Sequence, residues 1–505
     1  MPLARVATIG LVGLQGNLIE VEVDISDGLP GYTLLGLPDT ALSESRERVR
    51  TALINSGESW PNKKVTVSLS PAWLPKSGSS FDLPIAVALL QAQAILPVDN
   101  DAIFLGELSL GGDVRMIRGV LPALIAAQRL GFRRAILPIG NLHEGRAVRD
   151  IEVIGAAHLS EVLRFLRTGE FPQSSPLPHS DGPKANSIDL SDVAGQREAK
   201  KALEIAAIGG HHILFIGPPG TGKTMLAERI PTILPLLSNE DALEVAALQS
   251  INGTLESSEI SLLAPFVSPH HSTTAVGMVG GGAHLVRPGS CSLAHNGILF
   301  IDEAPECGNG VLDSLRQPLE SGCITITRAS GSITYPSKFI LVLAANPCPC
   351  GKFSGRGRSC SCSSLSIRRY LQKISGPLLD RIDLRIFVER PTRTEISEFD
   401  SGESSAVVRE RVIAARALAA ERFAGESWRL NSEIPASALR KKYRASKAAM
   451  AFLHSELDAE RLSVRGFHKV LRTSWSVADS HGRTIPSLED AQQALLFRET
   501  GEIYL

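Results

Sequence analysis

The stretch Gly217-Pro218-Pro219-Gly220-Thr221-Gly222-Lys223-Thr224 follows the apolar run Ile213-Leu214-Phe215-Ile216 and leads into Met225-Leu226-Ala227-Glu228-Arg229-Ile230. A short apolar run without polar alternation is the pattern of a strand buried on both faces, and the residues after the glycines form a helix-like run. Gly217, Gly220 and Gly222 allow a tight turn that aims backbone N–H groups at phosphate oxygens, where the positive end of the helix dipole also lies. Lys223 is placed to reach the β- and γ-phosphates and the Thr224 hydroxyl to ligate magnesium. Strand, glycine loop and helix in this order commit part of the chain to an α/β sandwich with a parallel sheet and imply a bound nucleoside triphosphate.

At 505 residues the chain is too long for one core, and 43% apolar against 21% charged residues gives enough apolar surface to build several. The formal net charge of −1 leaves nucleic-acid contact to local basic clusters. No charged leader precedes a sustained apolar run, and no apolar stretch reaches membrane-spanning length, so the expectation is a cytoplasmic protein without a membrane partner. All seven cysteines fall between Cys291 and Cys362, which points to metal or packing over a secreted disulfide framework.

Residues 1–167 mix strands and helices as an α+β unit: Val21, Val23 and Ile25 alternate with polar residues, as do Val65, Val67 and Leu69. Asp39 is placed to cap a helix running to Ile54, with Gly57 ending it. Residues 168–187, with Pro172, Pro176, Pro178 and Pro183, read as an extended linker. Residues 188–390 hold the phosphate-loop module with a Cys-rich loop at 348–362. Residues 391–505 read as a helical lid in which Val408, Val412, Ala415 and Ala419 share one face and Ser487 with Asp490 forms a capping box.

Two further apolar strands end in polar groups suited to hydrolysis. Gly297-Ile298-Leu299-Phe300-Ile301 ends in Asp302, placed to hold Mg²⁺, and Glu303, which points elsewhere and is free to orient the attacking water. Phe339-Ile340-Leu341-Val342-Leu343-Ala344-Ala345 ends in Asn346, able to bond both the γ-phosphate and the water.

Several segments then carry resemblances. Lys76 to Ala86, with Ser80 at the nucleophile position, resembles the proteolytic domain of Lon proteases and the Lon-like domain of RadA proteins, but the position of the catalytic lysine falls on Leu121. Leucine cannot take the serine proton, so the expectation is a proteolytically inactive Lon-like (S5-like) domain. Gly376-Pro377-Leu378-Leu379-Asp380-Arg381 resembles the segment by which AAA+ proteins present an arginine to the neighbouring subunit, and Leu462-Ser463-Val464-Arg465-Gly466 resembles their sensor-2 motif. With Asp192-Val193-Ala194-Gly195-Gln196, Arg287-Pro288-Gly289 and Asn346-Pro347-Cys348-Pro349-Cys350-Gly351, the chain over nearly its whole length resembles the magnesium-chelatase-like AAA+ ATPases of the ComM/YifB family. The resemblance implies ATP and Mg²⁺ as cofactors, a homo-hexameric ring, and a DNA branch-migration helicase in natural transformation, alongside recombination proteins. Alternatives are a protein-remodelling ATPase subunit and an ATP-regulated DNA-binding scaffold.

Other residues bear on DNA. Cys323 to Tyr335 alternates on both sides of Ser330-Gly331-Ser332 as a β-hairpin with Arg328 near its tip, either touching DNA phosphates or simply solvated. The glycine-rich 276–282 reads as a mobile loop. Cys348-x-Cys350 and Cys360-x-Cys362 could offer four thiolates to Zn²⁺, or be free. Lys352, Arg356, Arg358, Arg368, Arg369 and Lys373 occur without an acidic residue from 351 to 379, as a phosphate-binding surface or a solvated loop. The pairs His211-His212 and His270-His271 read as turn or packing residues.

Overall fold

A computed structural model describes residues 3–36, 40–74, 76, 78–170, 188–255, 259–282, 286–308, 310–328, 331–353, 360–397 and 402–499. The first sheet runs, in spatial order, Gly31–Leu35, Lys64–Ser70, Gln15–Ser26, Leu3–Val12, Ala102–Phe104, Arg134–Pro138 and Glu152–Ala156. Val21, Val23 and Ile25 oppose Leu69, Val67 and Val65 across an antiparallel ladder, and all six are buried, as their alternation requires. The helix Asp82–Ala92, buried along its whole length, covers one face. The helix Val120–Arg129 packs on the other, where Leu121 is fully buried beside Ile103 and Leu105. The helix expected up to Ile54 arrives as two pieces, Thr40–Ser43 and Ser45–Asn55, and Asp39 lies outside the described residues.

The second sheet is wholly parallel, in the order Phe266–Val267, Gly297–Ile301, Phe339–Ala345, Ile213–Ile216, Leu384–Phe387. Ile213 and Phe215 join the core under the helices Arg197–Gly209 and Lys223–Ile233, while Leu214 and Ile216 join the core on the opposite face. The strand with no polar alternation is thus central and covered on both sides. In the chain-terminal part, Ser405–Arg422 buries Val408, Val412, Ala415 and Ala419 as its spacing dictates, and Ser487 and Asp490 exchange the two capping hydrogen bonds. With Lys447–Asp458, Val464–Ser480 and Leu488–Glu499 this segment encloses its own aromatic core of Phe423, Tyr443 and Trp475. The architecture is therefore multidomain α/β, with an α+β N-terminal part, a parallel-sheet core and a helical C-terminal part.

The N-terminal part is seated on the core. The helix Asn239–Asn252 brings Ala246 into the cluster of Leu121 and Leu124, and Ser250 accepts the Gly119 N–H at its carbonyl (3.1 Å) while its hydroxyl donates to buried Glu144. Leu11 and Leu14 pack with Tyr335 and Ile333 at the base of the Cys323–Arg328/Gly331–Pro336 hairpin. Among the described residues no helix is long and apolar enough to cross a membrane.

Candidate nucleotide site

The loop after Ile216 is built as its sequence demands. A side chain at Gly217 would fall 2.3 Å from the Val388 carbonyl, and Gly220 and Gly222 hold φ of +76° and +90°, which favour glycine. The Pro218, Pro219 and Thr221 positions shape the turn, with Thr221 Oγ1 donating to the Pro218 carbonyl at 3.0 Å. Lys223, buried to 7% exposure, turns back into the loop and donates to the carbonyls of Gly217 (2.7 Å) and Pro218 (2.9 Å) and to Asn346 Oδ1 (3.3 Å). Burial holds its ammonium below the ordinary lysine range, against the pull of the Asp302 and Glu303 carboxylates.

Parallel pairing of Gly297–Ile301 and Ile213–Ile216 to the two edges of Phe339–Ala345 sets all three strand ends side by side. Thr224 Oγ1 donates to Asp302 Oδ2 at 2.8 Å, and Asp302 Oδ1 accepts the Glu303 N–H at 2.8 Å. Glu303 itself sits at φ +48°, ψ +42°, a conformation uncommon for a residue with a side chain, and its carboxylate is half exposed. The P-loop residues, Asp302, Glu303 and Asn346 therefore form one group. Gln196 caps its rear by donating to the Thr221 carbonyl at 3.2 Å.

Two residues join this group without a sequence signal. His271 is a turn residue, as expected, in the turn that follows the edge strand Phe266–Val267, and that turn brings its Nδ1 to 3.8 Å from Glu303 Oε2. Buried Tyr370 places its hydroxyl within reach of Asn346 and Glu306; burial first, then Glu306 and Glu303, push it above the ordinary phenol range.

Arg381 and Arg465 are not part of the group. The Arg381 guanidinium donates to the Pro377 carbonyl at 2.6 Å and pairs with Glu320; Arg465 is exposed, 3.7 Å from Asp380. Between them Lys469 donates to Asp383 and to the Arg381 carbonyl. His211 and His212 pack here, as expected of them. Burial pushes His212 down to about 4, and its neutral Nδ1 accepts the Leu341 N–H at 3.0 Å.

Of the residues read toward DNA, Arg328 is exposed at the last paired position of the hairpin, opposite Gly331. Gly331 and Ser332, read as turn residues, belong to the second strand, and Ser330 lies outside the described residues. The glycine run is not a loop: Ala275–Val279 is a helical turn capped by Thr274, followed by Gly280–Gly281 paired with Arg287–Pro288. Lys352 is exposed, Lys373 pairs with Glu306 at 3.6 Å, and Arg356 and Arg358 lie outside the described residues. Lys373 thus has a counter-charge from beyond the stretch that lacked one. Cys348, Cys350, Cys360 and Cys362 converge, with their sulfurs within 4.8 Å of one another.

Comparison with known proteins covers most of the chain. Family profiles described as "Magnesium chelatase, subunit ChlI", "Subunit ChlI of Mg-chelatase" and "Magnesium chelatase, subunit ChlI C-terminal" match residues 189–396, 21–141 and 402–498. The sequence is 42% identical over 501 residues to the uncharacterized protein YifB of Escherichia coli (strain K12), covering 99% of this chain and 97% of YifB. It is 41% identical over 489 residues to the competence protein ComM of Haemophilus influenzae, covering 95% and 94% respectively. A shorter match, 27% over 160 residues, links 29% of this chain to 20% of a Lon protease of Syntrophomonas wolfei subsp. wolfei.

Proposed function

This chain belongs to the ComM/YifB family of magnesium-chelatase-like AAA+ ATPases, and from that premise we propose that it is a homo-hexameric DNA motor. In this reading it is a cytoplasmic branch-migration helicase that serves recombination of incoming DNA during natural transformation, beside recombination proteins. The link to transformation rests on the name of the competence relative ComM. The domains assigned are 1–167, a linker 168–187, the ATPase core 188–390 and the lid 391–505.

The residues present fit ATP and Mg²⁺. The glycine turn leaves room for phosphate, the Lys223 ammonium already seeks oxygen ligands, and the Thr224 hydroxyl beside the Asp302 carboxylate is a hard-oxygen pair of the kind magnesium takes. Thr224 and Asp302 would hold the magnesium ion, whose positive charge would offset the charge developing on the phosphates. Lys223 would exchange its loop carbonyls for the β- and γ-phosphates. Glu303 would orient the attacking water or accept its proton, and Asn346 would bond that water and the γ-phosphate.

The observation that carries the ring is the position of Arg381: among the described residues the hydrogen bonds and ion pairs around Lys223, Asp302 and Asn346 include no arginine, while Arg381 stands apart on the corner after Gly376–Leu379. An arginine supplied in trans is worth about 10³–10⁵-fold in phosphoryl transfer, so isolated subunits would turn over slowly. Arg465 would reach the bound nucleotide from the lid. Arg328 and the cations Lys352, Arg356 and Arg358 would touch DNA phosphates.

The test compares ATP turnover of the wild type and Lys223→Ala with and without Holliday-type junctions, alongside junction dissociation. Junction-stimulated turnover with ATP-driven dissociation is expected. Turnover indifferent to DNA would favour a protein-remodelling subunit. Junction binding without ATP-driven movement would favour a DNA-binding scaffold.

A further inference from the structure

We propose that Cys348, Cys350, Cys360 and Cys362 hold one zinc ion that fixes the turn after Asn346 against the phosphate-binding loop. The sulfur of Cys348 lies 3.4 Å from that of Cys350 and 3.7 Å from that of Cys360, and Cys350 and Cys360 are 3.7 Å apart. All four sulfurs fall within 4.8 Å. A tetrahedron with Zn–S of about 2.3 Å has edges of about 3.8 Å, so the Cys348, Cys350 and Cys360 sulfurs stand at the spacing such an ion needs, with that of Cys362 close beside them. They are much too far apart for disulfides, whose sulfurs are about 2 Å apart, and all four cysteines are free.

Apolar packing does not account for the cluster, since Cys350, Cys360 and Cys362 are only half-buried. Ligation releases the protons of the four thiols and leaves a closed, substrate-free coordination shell, the structural type of zinc site.

The site touches the nucleotide group at two points. Cys348 follows Asn346 after a single proline, and Asn346 is the residue bonded to Lys223. Gly351, at φ +70°, donates to the Cys348 carbonyl at 2.9 Å, and a Cβ there would stand 2.7 Å from the Pro219 ring. One ion would therefore pin Asn346 from behind and set the turn against Pro219. Zinc binding is independent of the proposed function; its effect on turnover rests on the role given to Asn346.

Metal content of full-length protein purified without chelator should be one zinc per chain. Cobalt added to the chelator-treated protein should give the absorption of a tetrathiolate complex. Cys348→Ser with Cys360→Ser should lose both, and cobalt uptake by the wild type keeps the test valid if that variant folds poorly. Substoichiometric metal with no cobalt spectrum would overturn the site. For the coupling, Gly351→Ala should keep its zinc yet lose about 10–100-fold in turnover, the range seen when support around a site is disturbed, with ATP affinity changed far less. A Gly351→Ala protein that keeps zinc and wild-type turnover would overturn the clamp while leaving the metal.

Discussion

Replacing Lys469 with methionine isolates the fastening between the helical domain and the corner that carries Arg381. Lys469 Nζ donates to Asp383 Oδ1 at 2.5 Å and to the Arg381 carbonyl at 2.9 Å, and the two side chains are 14% and 3% exposed. Burial works against the Asp383 carboxylate, but Lys469 and the neighbouring His211 and His212 outweigh it and hold it well below the usual carboxylate range. Methionine keeps most of the volume and removes the charge, leaving Asp383 with the His212 N–H at 3.1 Å as its remaining fixed donor. Removing one partner of a buried ion pair costs about 3–5 kcal/mol. The double variant Lys469→Met/Asp383→Asn removes the orphaned charge and should recover most of that loss.

The pH dependence follows with a definite sign. In the wild type the contribution of Asp383 is complete above the pH where an unfolded aspartate titrates, about 4, and is lost as pH falls through its depressed folded value. In Lys469→Met burial wins, the folded pKa rises above the unfolded one, and protonation relieves the strain. The stability gap between the two proteins should therefore narrow steadily from neutral pH into the acid range. Urea unfolding followed by tryptophan emission measures it, with Trp428 and Trp475 reporting on the helical domain. A cost below about 1 kcal/mol at pH 7, within the range of an exposed pair, or a gap independent of pH, refutes the reasoning.

Glu303→Gln should bind a fluorescent ATP analogue as the wild type does but lose at least about 100-fold in turnover, whereas Lys223→Ala should lose binding; equal turnover in Glu303→Gln would exclude it as the water-orienting group. Arg381→Ala should lower turnover by about 10³–10⁵-fold, and mixing it with Glu303→Gln subunits should restore part of the activity. No recovery at any mixing ratio counts against an arginine supplied by a neighbour. Ser250→Val deprives buried Glu144 of a donor and should cost about 1–3 kcal/mol, read as faster hydrogen exchange across Val120–Arg129 and Asn239–Asn252. Unchanged exchange there would mean that the N-terminal part is held by apolar packing alone.

Whatever depended on local chemistry could be read from the chain. The alternation of Val21, Val23 and Ile25, the stripe of Val408, Val412 and Ala415, the Ser487–Asp490 cap and the glycines ahead of Lys223 each act within a few residues, and each appears as read. The glycine run at 276–282 was misleading because glycine frequency hid a local signal: Thr274 caps Gly277 N–H and starts a helical turn. His271 carried no local signal. Its place beside Glu303 comes from parallel pairing of Phe266–Val267 with Ile298 and Leu299, a register set by the whole sheet. Tyr370 was obscured by its setting in the basic run Arg368-Arg369, although it is the ring of that helix buried against Asn346.

Three cations from the helical domain meet on the short corner that bears Arg381: Arg465 lies 3.7 Å from Asp380, Lys469 holds the Arg381 carbonyl and Asp383, and Arg498 Nη1 donates to the Ile382 carbonyl at 3.2 Å. The Arg381 side chain leaves the corner in the other direction, toward Glu320 on Arg316–Ser321, the helix that leads into the hairpin ending at Arg328. The backbone of the corner is thus anchored by buried groups, while its guanidinium rests on a carboxylate that is 63% exposed. The Arg381 side chain is itself 17% exposed and also donates to the Pro377 carbonyl, so passing it to a neighbouring subunit would give up one half-exposed pair and one hydrogen bond, whereas moving the corner without the helical domain would break the buried Lys469–Asp383 pair at about 3–5 kcal/mol. If Arg381 serves the neighbouring site, a shift of the helical domain around its own nucleotide must carry that arginine with it, and the same shift frees or engages the helix at the root of the hairpin. Hydrolysis in one subunit would then be felt at the next site and at the hairpin through a single corner, which is why the Lys469 and Arg381 variants should fail differently: the first in stability as well as coupling, the second in turnover and in the link to the hairpin with stability largely kept.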